Sequence, residues 1–201
     1  MHKKNIVHFF DKKTSTISYI VEDISTRECA VIDPVLDLDP LSGTVSNESA
    51  DLLIEYIKNN NLKVTWILET HVHADHLSGS KYIKDSIGGK TGIGEKIDDV
   101  QKYFTAFFNT WDKKHPNDQK FDQLFIDREK FNVGNLEFEV IHTPGHTPAC
   151  VCYKVDDCVF VGDTIFSPDF GTARCDFPGG DARTLYKSIE KSFAVPSAPV
   201  N

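Results

Sequence analysis

The segment Glu69–Gly79 restricts the possible folds and functions of this chain more than any other. It places His71, His73, Asp75 and His76 within six residues, directly after an apolar run. Imidazoles and carboxylates are the usual ligands of zinc and ferrous iron. Alternate side chains of a strand point to the same side, so a strand ending here would bring His71 and His73 together. The segment therefore predicts a metal site rather than a solvated polar turn.

The composition is that of an ordinary folded protein. The 201 residues are 40% hydrophobic and 26% charged, and we predict that residues 1–201 form a single domain. The net charge of −8 argues against nucleic acid as a partner. No apolar stretch reaches the roughly 20 residues that cross a bilayer, and the start does not read as a signal peptide. We therefore expect a cytoplasmic protein without a membrane partner.

The cysteines number five and include no Cys-x-x-Cys pair. Cys150 and Cys152 alternate on a predicted strand and would share one face. We interpret them as small packed residues, because a reducing compartment needs no disulfide framework. A redox or metal-binding role for them is the minority alternative.

The hydrophobic pattern predicts strands, then helices, then a second group of strands. Such an order indicates an α+β protein in which two sheets pack together with helices outside. The predicted strands are Ile6–Phe10, Ile17–Glu22, Glu28–Ile32, Lys63–Glu69, Lys130–Val133, Leu136–His142, Ala149–Val155 and Cys158–Val161. The predicted helices are Glu48–Asn59, Leu77–Ile87, Ile97–Phe108 and Ala182–Phe193, and the predicted loops are Asp37–Asn47 and Asp112–Gln123.

Two further motifs follow the histidine segment at a distance. The run His142–Pro148 comes directly after a predicted strand, and its Pro-Gly turn places His146 rigidly. His142 itself ends the strand and is predicted to be structural. In the second motif, Asp163 ends an apolar strand, and a buried carboxylate there is costly unless it is paired or bound to a cation. A turn cap is the alternative role for Asp163.

These three motifs, in this order, are similar to those of the metallo-β-lactamase-fold superfamily. That resemblance implies an αββα sandwich with metal held at one edge between the sheets. Within the superfamily, the chain most resembles the persulfide dioxygenases, also called sulfur dioxygenases, of the ethylmalonic-encephalopathy type. The matching segments are Ala30–Asp37, Glu69–His76, Thr143–Thr147 and, most specifically, Gly162–Asp181.

The resemblance implies one ferrous ion per chain, with His71, His146 and Asp163 as metal ligands and catalytic residues. A set of two histidines and one carboxylate leaves positions open for substrate and oxygen. The implied substrates are glutathione persulfide and O2, and the implied products are sulfite and glutathione. Zinc, as one or two ions, is the alternative metal, since the ligand types also suit it.

The remaining residues of the segment have a different implied role. His73, Asp75 and His76 would orient the ligands or bind water, whereas in hydrolytic relatives they would hold a second metal. Arg174 could bind a substrate carboxylate. A salt bridge from Arg174 to Asp176 or Asp169 is the preferred interpretation.

Two alternative functions remain open at this level. The first is a thioester hydrolase of the hydroxyacylglutathione type (glyoxalase II) with two metals bridged by Asp163. That enzyme would need a later histidine, and His146 is the last one in this sequence. The second alternative is a truncated, non-catalytic metal-binding remnant.

The end of the sequence departs from the family pattern. Relatives of this type continue through a strand to a histidine-aspartate-tyrosine motif, whereas Val195–Asn201 carries two prolines and cannot form a central strand. We therefore expect a C-terminally truncated member whose second sheet lacks an edge element. A homodimer would cover that edge.

Overall fold

The computed structural model describes residues 3–107 and 121–193, without the side chain of Phe193. Groups of strands are separated by single helices along these two ranges. The strands are β1 (Lys4–Phe10), β2 (Ile17–Asp23), β3 (Glu28–Ile32), β4 (Val35–Asp39), β5 (Thr44–Ser46), β6 (Lys63–Leu68), β7 (Leu77–Ser78), β8 (Lys90–Gly94), β9 (Gln123–Phe125), β10 (Lys130–Val133), β11 (Leu136–His142), β12 (Val151–Val155) and β13 (Cys158–Phe160). The helices are α1 (Glu48–Asn59), α2 (Ser80–Ile87), α3 (Ile97–Phe107) and α4 (Ala182–Phe193).

The largest sheet has six strands in the order β1-β2-β3-β6-β8-β9. β1, β2 and β3 pair in antiparallel fashion, and β3, β6, β8 and β9 then run parallel to one another. Parallel neighbours need crossover connections, and α1 and α2 lie in the first two of these crossovers. The carboxyl ends of the parallel strands meet at one edge, which is where the segment Glu69–Gly79 begins.

Two smaller sheets complete the strand arrangement. β10, β11, β12 and β13 form an antiparallel sheet in that order. β4 lies between β5 and β7 in a short antiparallel sheet beside the histidine segment.

The main core lies between the six-stranded and four-stranded sheets. Val21, Ile32 and Leu68 from the first sheet share one cluster of buried side chains with Phe138 and Tyr153 from the second. Burial of a large apolar side chain stabilises the fold by about 1.5–3 kcal/mol each. This face-to-face contact therefore fixes the relative position of the two sheets, and with it the position of the strand ends.

Helices cover the outer faces of both sheets. The apolar residues of α1 recur at the spacing i, i+3, i+4 and i+7, which predicts one buried face, and these four residues are the ones that pack on the first sheet. On the other side, α4 packs against the turn after β11, where the Ser188 hydroxyl donates to the Pro144 carbonyl oxygen at 2.7 Å. The buried residues of the α1 face are Ala50, Leu53, Ile54 and Ile57.

This layering confirms the predicted α+β sandwich with helices outside. The bounds predicted for β3, α1, β10, β11 and α4 are those observed. No helix among the described residues is long and apolar enough to span a bilayer. Residues 112–120 of the predicted loop Asp112–Gln123 and the terminal segment Val195–Asn201 lie outside the described residues.

Several predicted elements are wrong in detail. The predicted loop Asp37–Asn47 contains the end of β4 and all of β5. Its polar residues suggested a loop because they form the hairpin turn between these two strands. Asp39 closes that turn by accepting hydrogen bonds from Leu41 N (3.0 Å) and Ser42 Oγ (2.6 Å). The helix predicted from Leu77 begins at Ser80, because Leu77 and Ser78 pair with β4.

Other features were missed or misplaced. β8 was missed because two glycines weaken its strand pattern. β9, which is only three residues long, was missed as well. The spacing of apolar residues in α3 also predicts a core cluster of Val100, Phe104, Phe107 and Phe108. Val100 is buried, but Phe107 is 69% exposed, and Phe108 lies outside the described residues.

Asp23 joins the two main sheets at the end opposite the carboxyl edge. Its fully buried carboxylate accepts hydrogen bonds from Ser25 N, Ser25 Oγ and Thr26 Oγ1 and from Asn135 N in the turn between β10 and β11. Burial alone would raise the pKa of Asp23, but these hydrogen bonds outweigh it and hold the pKa well below the ordinary value. The charged form is therefore the form that stabilises the fold.

We expect Asp23→Asn to destabilise the protein by about 1–3 kcal/mol at neutral pH, because an amide cannot accept all of these bonds. The pKa of Asp23 is depressed in the folded state, so its contribution is complete above the unfolded pKa of about 3.9 and is lost as pH falls further. Thermal melts at pH 7 and pH 3 should show a difference from wild type that shrinks in acid. The exposed Asp39→Asn serves as control, and an equal effect of both substitutions would contradict the account.

Candidate metal centre

His71 lies just beyond β6, at the carboxyl edge of the large sheet. It is 2% exposed, and its Nδ1 is 3.0 Å from the Thr70 hydroxyl. Its Nε2 is buried and has no hydrogen-bond partner among the described residues. Burial lowers the pKa of His71 well below the ordinary value, and the charge of His73 lowers it further. The ring is therefore neutral, which is the form that binds a metal.

His146 is held in place by the turn that follows β11. Gly145 has φ +144°, and a Cβ there would lie 2.4 Å from the Leu185 Cα of α4, so only glycine allows this approach. The His146 Nδ1 is 2.7 Å from the carbonyl oxygen of Arg174, which can only accept. The hydrogen therefore sits on Nδ1, and Nε2 keeps its lone pair for a ligand.

Asp163 lies in the short 3-10 turn Gly162–Thr164 that follows β13. Gly162 has φ +49°, which lets the backbone turn sharply before the carboxylate. The Asp163 side chain is 32% exposed. Burial raises its pKa although the charge of His146 opposes this, so a cation beside the carboxylate would favour its charged form.

These three side chains come from distant parts of the sequence and meet at one point. The Asp163 Oδ2 is 3.7 Å from the His71 Nε2 and 3.5 Å from the His146 Nε2. Two donor atoms that share one ion at about 2.1 Å lie roughly 3.0–3.5 Å apart. The unpartnered His71 Nε2 and the spacing of the three atoms therefore fit a single divalent metal.

The other members of the histidine segment form a neighbouring cluster. The His73 Nε2 is 3.2 Å from Asp33 Oδ1 and 2.9 Å from Glu69 Oε2. The His76 Nδ1 is 3.1 Å from Asp75 Oδ2, and its Nε2 is buried without a partner among the described residues. His73, Asp75 and His76 thus form a second set of donors within 4.8 Å of one another.

Two buried carboxylates behind the site, Asp33 and Glu69, were not among the predicted site residues. Burial would raise the pKa of Asp33, but the charge and hydrogen bond of His73 and a bond from Thr70 N outweigh it. The same carboxylates raise the pKa of His73 well above the ordinary value against the effect of burial. The sequence did contain an indication that Asp33 belongs to the site, because Asp33 follows the apolar strand β3 just as Asp163 follows β13.

The remaining predicted residues have simpler surroundings. The exposed Arg174 side chain pairs with Asp176 (Nε to Oδ1, 3.2 Å), as the salt-bridge interpretation expected. The His142 Nε2 is 2.9 Å from the Pro148 carbonyl oxygen, which agrees with a structural role. Cys150 and Cys152 are buried, and burial raises the pKa of the Cys150 thiol to about 12.

Comparison with known proteins supports the assignment of the chain to an α+β sandwich fold. The family profile of the metallo-β-lactamase superfamily matches residues 13–198. The chain therefore belongs to the metallo-β-lactamase superfamily.

Named relatives divide between two chemistries. The chain is 48% identical to a probable metallo-hydrolase of Burkholderia pseudomallei over 200 residues, covering 94% of this chain and 68% of that protein. It is 29% identical to the mitochondrial persulfide dioxygenase ETHE1 of Bos taurus over 190 residues, covering 93% of this chain and 62% of that protein. The crystal structure of ETHE1 from Myxococcus xanthus superposes with a TM-score of 0.74 at 26% identity, covering 96% of this chain and 71% of that one.

We expect His146→Ala to abolish stable metal binding, because it removes one of three converging donors, while His142→Ala leaves the metal content unchanged. The two histidines lie four residues apart in the same segment, so the pair is a matched comparison. Metal per chain, measured by elemental analysis after loading with Fe(II) and desalting, decides between them. Equal metal content in both variants would show that His146 is not a ligand.

Proposed function

We propose that this chain is a mononuclear iron-dependent persulfide dioxygenase that oxidises glutathione persulfide. The observation that carries the proposal is the convergence of His71, His146 and Asp163 on one point. Two histidines and one carboxylate form the ligand set typical of non-haem ferrous oxygenases. The similarity to persulfide dioxygenase ETHE1 of Bos taurus and to the ETHE1 structure of Myxococcus xanthus supports the same reaction.

The balanced reaction consumes one persulfide, one O2 and one water and yields glutathione, sulfite and two protons. Ferrous iron, when bound, would supply open coordination positions and the one-electron chemistry that lets spin-paired sulfur react with triplet oxygen.

The protein residues contribute orientation and exclusion of water. His71 and His146 present Nε2 because their Nδ1 atoms already have partners in Thr70 and the Arg174 carbonyl. The Phe177 ring lies 5.9 Å from the His146 ring and is 8% exposed, so it forms an apolar wall beside that ligand. Such a wall limits the access of water to a reactive centre.

His73 is proposed to support the ligands rather than to bind iron. Its Nε2 faces two carboxylates, and within the described ranges only His71 and His146 have a ring nitrogen within 4.0 Å of the Asp163 carboxylate. Asp75 and His76, which pair with each other, are assigned the same supporting role. Binding of substrate by Arg174, a cytoplasmic location and a homodimer remain predictions.

A metal-dependent hydrolase is the second candidate. The set His73, Asp75 and His76, with the unpartnered His76 Nε2, could hold a second ion, and the Burkholderia pseudomallei relative is named a probable metallo-hydrolase. Two metals bridged by Asp163 would activate water against a thioester. If the chain is instead a non-catalytic metal-binding remnant, neither oxygen uptake nor thioester cleavage is expected.

The decisive experiment combines elemental analysis of protein purified without added metal with an oxygen-electrode assay on glutathione persulfide. We expect about one iron per chain, oxygen uptake, and a loss of at least about 100-fold in Asp163→Asn, because a ligand matters at least as much as its supporting groups. Asp85→Asn, which alters only a surface pair with Lys81, is the control and should keep full activity. Two metals per chain with cleavage of a hydroxyacylglutathione thioester and no oxygen uptake would reject the proposal.

A further inference from the structure

Thr70 stands between a buried carboxylate and a proposed metal ligand. It is 1% exposed, and its Oγ1 is 2.8 Å from Asp33 Oδ2 and 3.0 Å from His71 Nδ1. Its backbone N–H donates to Asp33 Oδ1 at 2.7 Å. The Thr70 hydroxyl therefore has two polar neighbours, and one of them, Asp33, also binds the Thr70 backbone.

The direction of these hydrogen bonds follows from the number of protons available. A threonine hydroxyl has a single hydrogen to donate, and an ionised carboxylate can only accept. The Thr70 hydroxyl must therefore donate to Asp33, which leaves only its lone pairs facing His71. A contact of 3.0 Å is then satisfied only if the His71 Nδ1 carries a hydrogen and donates it.

Thr70 also contacts the segment that carries another ligand. A Cβ on Gly162 would lie 2.2 Å from Thr70 Oγ1 and 2.6 Å from Thr70 Cβ, so the backbone leading into Asp163 packs directly on the threonine. Thr70 thus contacts the proposed ligand His71 and also Gly162, which directly precedes the proposed ligand Asp163.

We propose that Thr70 is a positioning residue for His71. Because its hydroxyl donates to Asp33, it can only accept from His71, and this fixes the His71 tautomer with the hydrogen on Nδ1 and Nε2 free for a metal. The inference rests on the proposed metal site. His146 is fixed differently, by the backbone carbonyl of Arg174, which no side-chain substitution removes. Tautomer control of His71 depends on two replaceable side chains, and this makes it testable.

The first measurement needs no metal. Long-range proton–nitrogen correlation spectra of metal-free protein with 15N-labelled histidine report which ring nitrogen carries the hydrogen, and comparison with His71→Gln assigns the signal. We expect His71 in wild type and in Thr70→Ser to be protonated at Nδ1. A wild-type spectrum with the hydrogen on Nε2 would overturn the proposal, whatever the variants do.

Asp33→Asn tests the direction of the hydrogen bonds from His71 to Thr70 and from Thr70 to Asp33 while retaining Thr70. The Thr70 backbone N–H still needs an acceptor, so the oxygen of the new amide takes that position and its NH2 faces the Thr70 hydroxyl. The hydroxyl then accepts from this NH2 group and donates to His71, which moves the histidine hydrogen to Nε2. The nitrogen spectrum of this variant should therefore be reversed relative to wild type.

The second measurement is the affinity for Fe(II), added anaerobically to the metal-free protein. We expect Thr70→Val and Asp33→Asn to bind about 10–100-fold more weakly than wild type, and Thr70→Ser to stay within a few-fold. Thr91→Val is the matched control, because that buried hydroxyl also donates to an aspartate, Asp122 at 3.0 Å, away from the ligands. Thermal melts of each variant establish that it is folded.

The outcomes separate this inference from the proposed function. Wild-type affinity in Thr70→Val and Asp33→Asn, or an equal loss in Thr70→Ser or Thr91→Val, would overturn the positioning role. Wild-type protein that binds iron but takes up no oxygen would reject the dioxygenase and not the positioning role of Thr70. The His71 tautomer and the Fe(II) affinity are both measured without persulfide.

Discussion

The buried carboxylate of Asp33 is the group on which the site depends. It sits at the end of β3 with a positive φ of +49°, a conformation that aspartate tolerates better than most residues. Removing such a charge from water is costly, and the cost is offset by bonds from the Thr70 backbone and hydroxyl and from His73. These bonds are made to the segment that bears His71, so the strand end and the ligand segment have one defined relative position.

The three proposed ligands reach one point because the two main sheets pack face to face. His71 follows a strand of the first sheet, while His146 and Asp163 follow strands of the second. The core between the sheets is formed by large apolar side chains, and Asp23 joins the sheets at the opposite end. A change in that packing would separate donors that are now 3.5–3.7 Å apart. The proposed metal centre therefore depends on the whole sandwich rather than on one motif.

Much of this could be predicted from sequence, and the failures have physical causes. The periodicity of α1 gave its bounds and buried face, because one apolar stripe dominates that helix. The short strands β5 and β7 were missed because their pairing with β4 is a tertiary contact that local pattern does not contain. Asp33 was recognised only as part of a family-like segment, since its partners lie far along the chain. The proposed ligand set came from resemblance, because its three members lie far apart in the sequence and approach one another only in the folded chain.

The most direct test of the account is the position of iron in crystals of the loaded protein, located by anomalous diffraction at the iron edge. A mononuclear site predicts a single peak within bonding distance of His71 Nε2, His146 Nε2 and Asp163 Oδ2. It also predicts that His73 remains bonded to Asp33 and Glu69 through Nε2. Two peaks bridged by Asp163, with one of them bound by Asp75 and His76, would contradict it and would favour the hydrolase.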